Sequence, residues 1–221
     1  MNFLLSKWAG QRSPLRSFQE RYGFNAMSLT SEEVLIGVVQ ELGMDTWQNE
    51  DPDTETDMRN RLVKAESLFH EGYDFVHIHT KQPDAIAHMA NPRKKRDVIE
   101  ALDRGLELLS LRILNDQDIL TVITSDHSTP SVVSGHLKPG EFHDQHSGDP
   151  VPLVMAGRNS IQDHVTSFNE RSCANGALGL VKGSDFMNIV LSQTERTNTI
   201  GWRATSHDIL HRPDHVVPFE L

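Results

Sequence analysis

Two aspartate–histidine pairs and one further histidine hold the chemistry of this sequence. Asp84 and His88 stand four residues apart in KQPDAIAH. On a helical turn, side chains at that spacing point the same way. A carboxylate oxygen beside an imidazole nitrogen suits zinc or manganese. Asp126 and His127 are neighbours in SDHSTP. On a regular strand they would face opposite sides, but the irregular turn after a strand can aim both at one ion, or at two adjacent ions. His146 lies in HDQHSGDP, where Gly148 and Pro150 can hold the backbone in an unusual path. Seven of the twelve histidines (His77, His79, His88, His127, His136, His143 and His146) fall between residues 77 and 146. One Asp-x-x-x-His is common by chance. Three such clusters, each at the edge of an apolar run, argue together for a divalent metal.

The elements around them must put these clusters in one place. Residues 24–30 read as a strand, and Ser31-Glu-Glu opens a helix whose apolar positions Val34, Leu35, Val38, Val39 and Leu42 recur at helical spacing up to Gly43. Residues 46–56 are polar, carry Pro52 and read as a loop, followed by a helix from 57 to about 71. DFVHIHT, residues 74–80, is a strand bounded by Gly72 and Pro83. Residues 94 to about 114 form a long amphipathic helix. ILTVIT (119–124) and VPLVMA (151–156) are apolar runs of the kind found in strands buried on both faces. A last helix opens at Ser184-Asp185 and runs to about Gln193. Strands alternating with helices predict an α/β fold with a largely parallel sheet flanked by helices. Ligands of such sheets gather beyond the carboxyl ends of the strands, where the first two clusters lie.

Composition narrows the partners. The 221 residues carry 31 acidic and 21 basic side chains, a formal charge of −10. That balance opposes a nucleic-acid binder, which needs clustered Lys and Arg. No run approaches the roughly 20 apolar residues that span a bilayer, and the opening MNFLLSK lacks the pattern of a signal peptide. One cysteine, Cys173, rules out an intrachain disulfide. The expectation is one domain over residues 1–221, in the cytoplasm, with no nucleic-acid or membrane partner.

DFVHIHTKQPDAIAH, VITSDHSTP and HSGDPVPLVMAG together resemble the archaeal type of cofactor-independent phosphoglycerate mutases, in the alkaline phosphatase superfamily. The tail Phe168-x-Glu170 with ANGALGLVKGSDFMNIVL is similar too, as are SFQERYGFNAMSL, Gly43-Met44-Asp45 and, more loosely, NFLLSKWAG. The resemblance implies an alkaline phosphatase-like core and two divalent ions, Mn or Zn or Mg. One ion would be held by Asp84, His88 and His146, the other by Asp126 and His127. It implies a small phosphorylated three-carbon substrate, with 2- and 3-phosphoglycerate exchanged through a serine that becomes phosphorylated. Lys81 is a candidate phosphate contact.

The resemblance also implies what is missing. The family's serine and a further aspartate belong to an N-terminal core segment, ahead of an inserted cap domain, and neither segment is matched here. Ser6 and Ser13 lie in the loosely matched opening, and Ser128 follows the Asp-His pair. One competent metal site and one weak one are expected, and no serine-mediated transfer by this chain alone. A fragment, a split gene and a diverged protein all fit, so catalysis by this chain stays open, as does its pairing with a missing N-terminal half or with copies of itself. The rival readings are another metal-dependent phosphate or phosphonate enzyme of the superfamily, and a non-catalytic interaction subunit that keeps the fold. His77 and His79 share a strand face as candidate second-layer donors or phosphate contacts, or as packed core-edge residues, and Arg93-Lys-Lys-Arg96 reads as a solvated face.

Overall fold

A computed structural model describes residues 15–109, 113, 114, 116, 118–132, 142, 145–198, 209 and 210. Ser6, Ser13, His136 and His143 lie outside them.

Helix α1 (Phe18–Tyr22) starts at a capping box. The Ser17 hydroxyl accepts from the Glu20 N–H at 3.1 Å, and the Glu20 carboxylate accepts from the Ser17 N–H at 2.8 Å. Gly23, at φ 71°, ends the helix in the left-handed conformation that glycine adopts without steric cost. Strand β1 (Ala26–Leu29), helix α2 (Glu33–Glu41), strand β2 (Asp45–Trp47), helix α3 (Thr54–His70) and strand β3 (Phe75–Ile78) follow. The three strands form a parallel sheet in the order β2-β1-β3. Strand β1 takes the centre because it can be buried: Ala26, Ser28 and Leu29 are all inaccessible or nearly so.

Two expectations change here. The stretch read as a loop at 46–56 begins with β2, whose Asp45, Thr46 and Trp47 pair with Met27, Ser28 and Leu29. A three-residue edge strand with a polar start carries too little alternation to announce itself; its neighbour supplies the ladder. Helix α3 also starts earlier, at Thr54, because the Asp53 carboxylate accepts from the Thr56 N–H at 2.9 Å. In α2 the capping side chain is Glu32, accepting from the Leu35 N–H at 2.7 Å, rather than Ser31.

Helix α4 (Gln82–His88) comes directly after β3, and α5 (Pro92–Gly105) after that. The long helix expected to reach Leu114 is interrupted: α5 ends at Gly105, a turn at Leu106 follows, helical residues resume at 107–109 and 113, and Leu109 and Ile113 are buried. Strand β4 (Thr121–Thr124) and strand β5 (Leu153–Ala156) pair antiparallel as a separate ribbon among the described residues. They are half-buried rather than enclosed on both faces. Helices α6 (Glu170–Cys173) and α7 (Gly183–Gln193) and the two-residue strands β6 (Thr197–Asn198) and β7 (Ile209–Leu210) complete the order.

Side chains pack in two layers. Phe18, Phe24, Val39, Val190 and Leu191 cover one face with Phe75, Leu120 and Met155. Met58, Leu62, Leu109 and Ile113 cover the other with Ile78, Ile119 and Ile123. Phe75 and Ile78 on β3, and Ile119 and Leu120 before β4, divide between the layers as the alternation of extended chain requires. Helices α3 and α5 meet where Gly105 has no side chain: a Cβ there would stand 2.7 Å from Met58 Cβ and 3.0 Å from the Glu55 carbonyl oxygen.

The carboxyl end of the parallel sheet is polar and tightly bonded. Ser28 and Thr30 are fully buried. Ser28 Oγ meets His77 Nδ1 at 2.9 Å, and Thr30 Oγ1 meets His79 Nδ1 at 3.2 Å. Both histidines are half-buried, and each has its Nδ1 tied to a buried hydroxyl of β1 or the turn after it. Burial, with His79 alongside, depresses His77 to about 4. Below this rim Arg61, 2% exposed, donates from Nε to Asp57 Oδ2 at 2.7 Å and from Nη2 to Ser31 Oγ at 3.1 Å, which ties α3 to the turn after β1. Among the described residues, no helix is long and apolar enough to cross a membrane.

Three stability measurements check this architecture. Gly105→Ala should destabilise by about 1–3 kcal/mol in urea unfolding, because overpacking outweighs the gain in helix propensity. Gly37→Ala in α2, where a Cβ meets nothing within 4 Å, should stabilise by about 0.5–1 kcal/mol. His77 binds its proton more readily unfolded, near 6.5, than folded, near 4. Its contribution is therefore complete above pH 6.5 and falls away as the pH drops toward 4, by up to about 3 kcal/mol. His77→Asn should flatten that part of the stability–pH curve.

Candidate metal centre

The first ligand pair rests on a helix fixed by its own sequence. Lys81 to His88 leave β3 and turn at once into α4, with Pro83 in the first turn, where its missing N–H costs nothing. Asp84 and His88 are then one turn apart, and His88 Nε2 lies 3.2 Å from Asp84 Oδ1. Ala87 is fully buried and presses the helix onto the core.

His146 arrives from 58 residues away. Its Nε2 stands 3.2 Å from His88 Nε2 and 3.6 Å from Asp84 Oδ1. The backbone places it: Ser147 N–H donates to the Ser128 carbonyl at 3.0 Å in an isolated antiparallel bridge, so His146 and His127 stand beside the same link. Their rings stack with centroids 4.0 Å apart. The second pair therefore lies against the first. Asp126 Oδ2 is 3.3 Å from His127 Nε2, and the Asp126 side chain is 70% exposed.

Among the described residues, Asp84, His88 and His146 are a group of three whose ligand atoms converge closely enough for one cation. Three bonds of about 2.0–2.2 Å in tetrahedral array separate neighbouring donor atoms by about 3.3–3.6 Å, close to the spacing found here. Hydrogen bonds alone do not account for the triangle. If both rings give a proton to Oδ1, two N–H groups face each other at 3.2 Å; if one ring gives its proton to the other, an edge to Oδ1 is left as two lone pairs. A divalent cation satisfies all three edges at once.

The remaining atoms of Asp84 are held by neighbours. Thr129, 4% exposed, donates its hydroxyl to Oδ1 at 2.6 Å. Oδ2 is buried and meets the Lys81 ammonium at 3.0 Å as an ion pair, off the alignment of a hydrogen bond. Burial pushes the Asp84 carboxyl up, but the Thr129 hydroxyl and the Lys81 charge outweigh it and hold the carboxyl below its ordinary range. The Lys81 ammonium is held above its ordinary value, first by Asp84, and stays charged. Half of the Lys81 side chain is in solvent.

Two residues of this site were not singled out from the sequence. Lys95 belongs to the basic run read as a solvated face, and its three neighbours are exposed as expected. Lys95 itself turns inward and donates to the Thr129 carbonyl at 2.7 Å. Burial lowers its pKa, with Glu170 and Asp84 pulling it back. Thr129 sits two residues after His127, and that spacing was the available signal.

Residues 10–193 match the metalloenzyme superfamily, and the chain belongs to it. Over 211 residues it is 39% identical to the 2,3-bisphosphoglycerate-independent phosphoglycerate mutase 2 of Methanocaldococcus jannaschii, which covers 92% of this chain and 42% of that relative. The 2,3-bisphosphoglycerate-independent phosphoglycerate mutase of Thermococcus kodakarensis is 34% identical over 203 residues, covering 90% of this chain and 46% of that one. Among solved structures, PH0037 from Pyrococcus horikoshii superposes with a TM-score of 0.72 at 29% identity, over 85% of this chain and 54% of that one. The cofactor-independent phosphoglycerate mutase of Thermoplasma acidophilum gives 0.60 at 25% identity, over 81% and 39%. The chain thus spans a little under half the length of the curated relatives it matches.

Calorimetric titration of Zn(II) or Mn(II) into protein stripped with EDTA should show saturable binding. His88→Ala or His146→Ala should weaken it by about 100-fold or more. The cation should raise the melting temperature of the native sequence and leave both variants nearly unchanged.

Proposed function

We propose that this chain is the metal-binding, C-terminal part of a 2,3-bisphosphoglycerate-independent phosphoglycerate mutase, acting in glycolysis in the cytoplasm on 2- and 3-phosphoglycerate. The observation that carries the reading is the convergence of Asp84, His88 and His146 at the carboxyl end of the sheet. The family and the names of the relatives support it.

In this reading Asp84, His88 and His146 hold one divalent ion, Mn or Zn, and Asp126 and His127 offer two ligands to a second. Such ions would lower the pKa of a hydroxyl nucleophile and neutralise charge on a transferred phosphoryl group. The protein's own part is positional. Helix α4 keeps Asp84 and His88 in register, and the Ser147–Ser128 link holds His146 above them. Lys81 is the phosphate contact: its ammonium is charged, half-exposed and next to the triad. Ser128 is tied into the bridge with Ser147 and does not open a helix after a strand. In this reading, as the family resemblance implies, the nucleophilic serine is supplied by an N-terminal half that the matched residues do not include. The 221 residues act as one partial core.

With Mn or Zn added, the chain alone should bind 3-phosphoglycerate in calorimetry, and Lys81→Ala should weaken that binding about tenfold, the loss of one charge-assisted contact. It should give no mutase turnover. No binding of 3-phosphoglycerate to the metal-loaded chain would reject the substrate, and clear turnover would reject the absence of the serine.

A further inference from the structure

One hydroxyl touches both ligand sets. Thr129 Oγ1 is 2.6 Å from Asp84 Oδ1, across 45 residues of sequence, and 3.1 Å from His127 Nδ1. A threonine hydroxyl has a single proton, and a carboxylate at neutral pH has none to give. The contact to Asp84 therefore consumes that proton, at the short distance expected of a hydroxyl bonded to a charged carboxylate. Toward His127 the same oxygen can then only accept. His127 must carry its proton on Nδ1, whatever its overall charge, which leaves Nε2 as the one ring nitrogen that can bind a cation. Nε2 is the atom that faces Asp126 Oδ2 at 3.3 Å.

We propose that Thr129 is the positioning residue that joins the two ligand sets, orienting Asp84 in the first and fixing the His127 tautomer that opens the second. The inference rests on the reading that these sets hold cations, and it names a residue that acts through the ligands without touching the ion. The surroundings are those of a fixed part. Thr129 is 4% exposed, and the Lys95 ammonium grips its carbonyl at 2.7 Å, which anchors the turn after β4 to α5. The Ser147–Ser128 link next to it keeps the stacked pair of His127 and His146 in place. Partners in this position commonly change metal affinity by about 10–100-fold when removed.

The test compares the native sequence with Thr129→Val, which keeps the shape and loses the hydroxyl, and Thr129→Ser, which keeps the hydroxyl and loses the methyl. Zn(II) affinity is measured by calorimetry, unfolding is followed in EDTA, and the His127 ring nitrogens are read by 15N NMR at pH 8. Thr129→Val should weaken Zn(II) binding by about 10–100-fold, and Thr129→Ser should restore it to near the native value. The native metal-free protein should show His127 protonated on Nδ1, and Thr129→Val should lose that preference. Native affinity in Thr129→Val would overturn the proposal. So would equal weakening in both variants in step with their unfolding in EDTA, which would mark a packing role only, or a native His127 protonated on Nε2 alone. A native protein that binds no Zn(II) would overturn this inference and the metal reading together, whereas native binding with an indifferent Thr129→Val removes this inference only.

Discussion

The site is organised by the electrostatic demand of one oxygen, Asp84 Oδ1. Two imidazole nitrogens and a hydroxyl lie within 3.6 Å of it, and the partner oxygen of the same carboxylate is buried against an ammonium. Groups with lone pairs do not gather at such distances unless something holds them, since each gives up water and gains a repulsive neighbour. Here the holding is shared. Helix α4 fixes Asp84 to His88, the Thr129 hydroxyl and Lys81 stabilise the carboxylate charge, and the bridge between Ser128 and Ser147 carries His146 into place. A divalent cation would attract all three donors at once.

The remainder of the fold supplies a stiff base for this corner. Beneath it, the buried hydroxyls of Ser28 and Thr30 pin the His77 and His79 rings, and the ion pair of Arg61 with Asp57 fastens α3 to the turn after β1. An unpaired charge in that position would cost several kcal/mol, so the pair is kept whole. On the far side the bare backbone of Gly105 lets α5 press against α3. That contact sets the position of α5 and with it Lys95, the residue that grips the Thr129 carbonyl. Core packing and site geometry are thus linked, from a missing methyl group at the helix interface to the Thr129 hydroxyl on the Asp84 carboxylate.

Membership of the metalloenzyme superfamily fits a division of labour along such polypeptides. This chain matches 42–46% of its curated relatives, and that share contains the Asp84, His88 and His146 triad together with the adjacent Asp126 and His127. The triad lies within one chain and needs no contribution from another to bring its three donors together. The exposed carboxylate of Asp126, by contrast, faces solvent.

Much of this could be read from residue order. The four-residue spacing of Asp84 and His88 after an apolar strand specified a shared helical face, and the apolar runs located β1, β3, β4 and β5 to within a few residues. Local chemistry decided those features: side-chain period, caps and turn residues act over one or two turns of chain. What the order of residues left undecided was set at long range. The edge strand β2 exists because β1 offers it a ladder; α5 breaks after Gly105 although its apolar stripe continues; and among the described residues β4 pairs antiparallel with β5 in a ribbon of their own. The inward turn of Lys95 and the double contact of Thr129 belong to the same class. Above all, the meeting of His146 with His88 across 58 residues required the tertiary structure, since no local pattern records which way two distant loops face. The sequence by itself determined which donors are present and which pair shares a helix. The packed fold decided that three of them close around one point, because only the sum of many distant contacts sets the direction of each side chain.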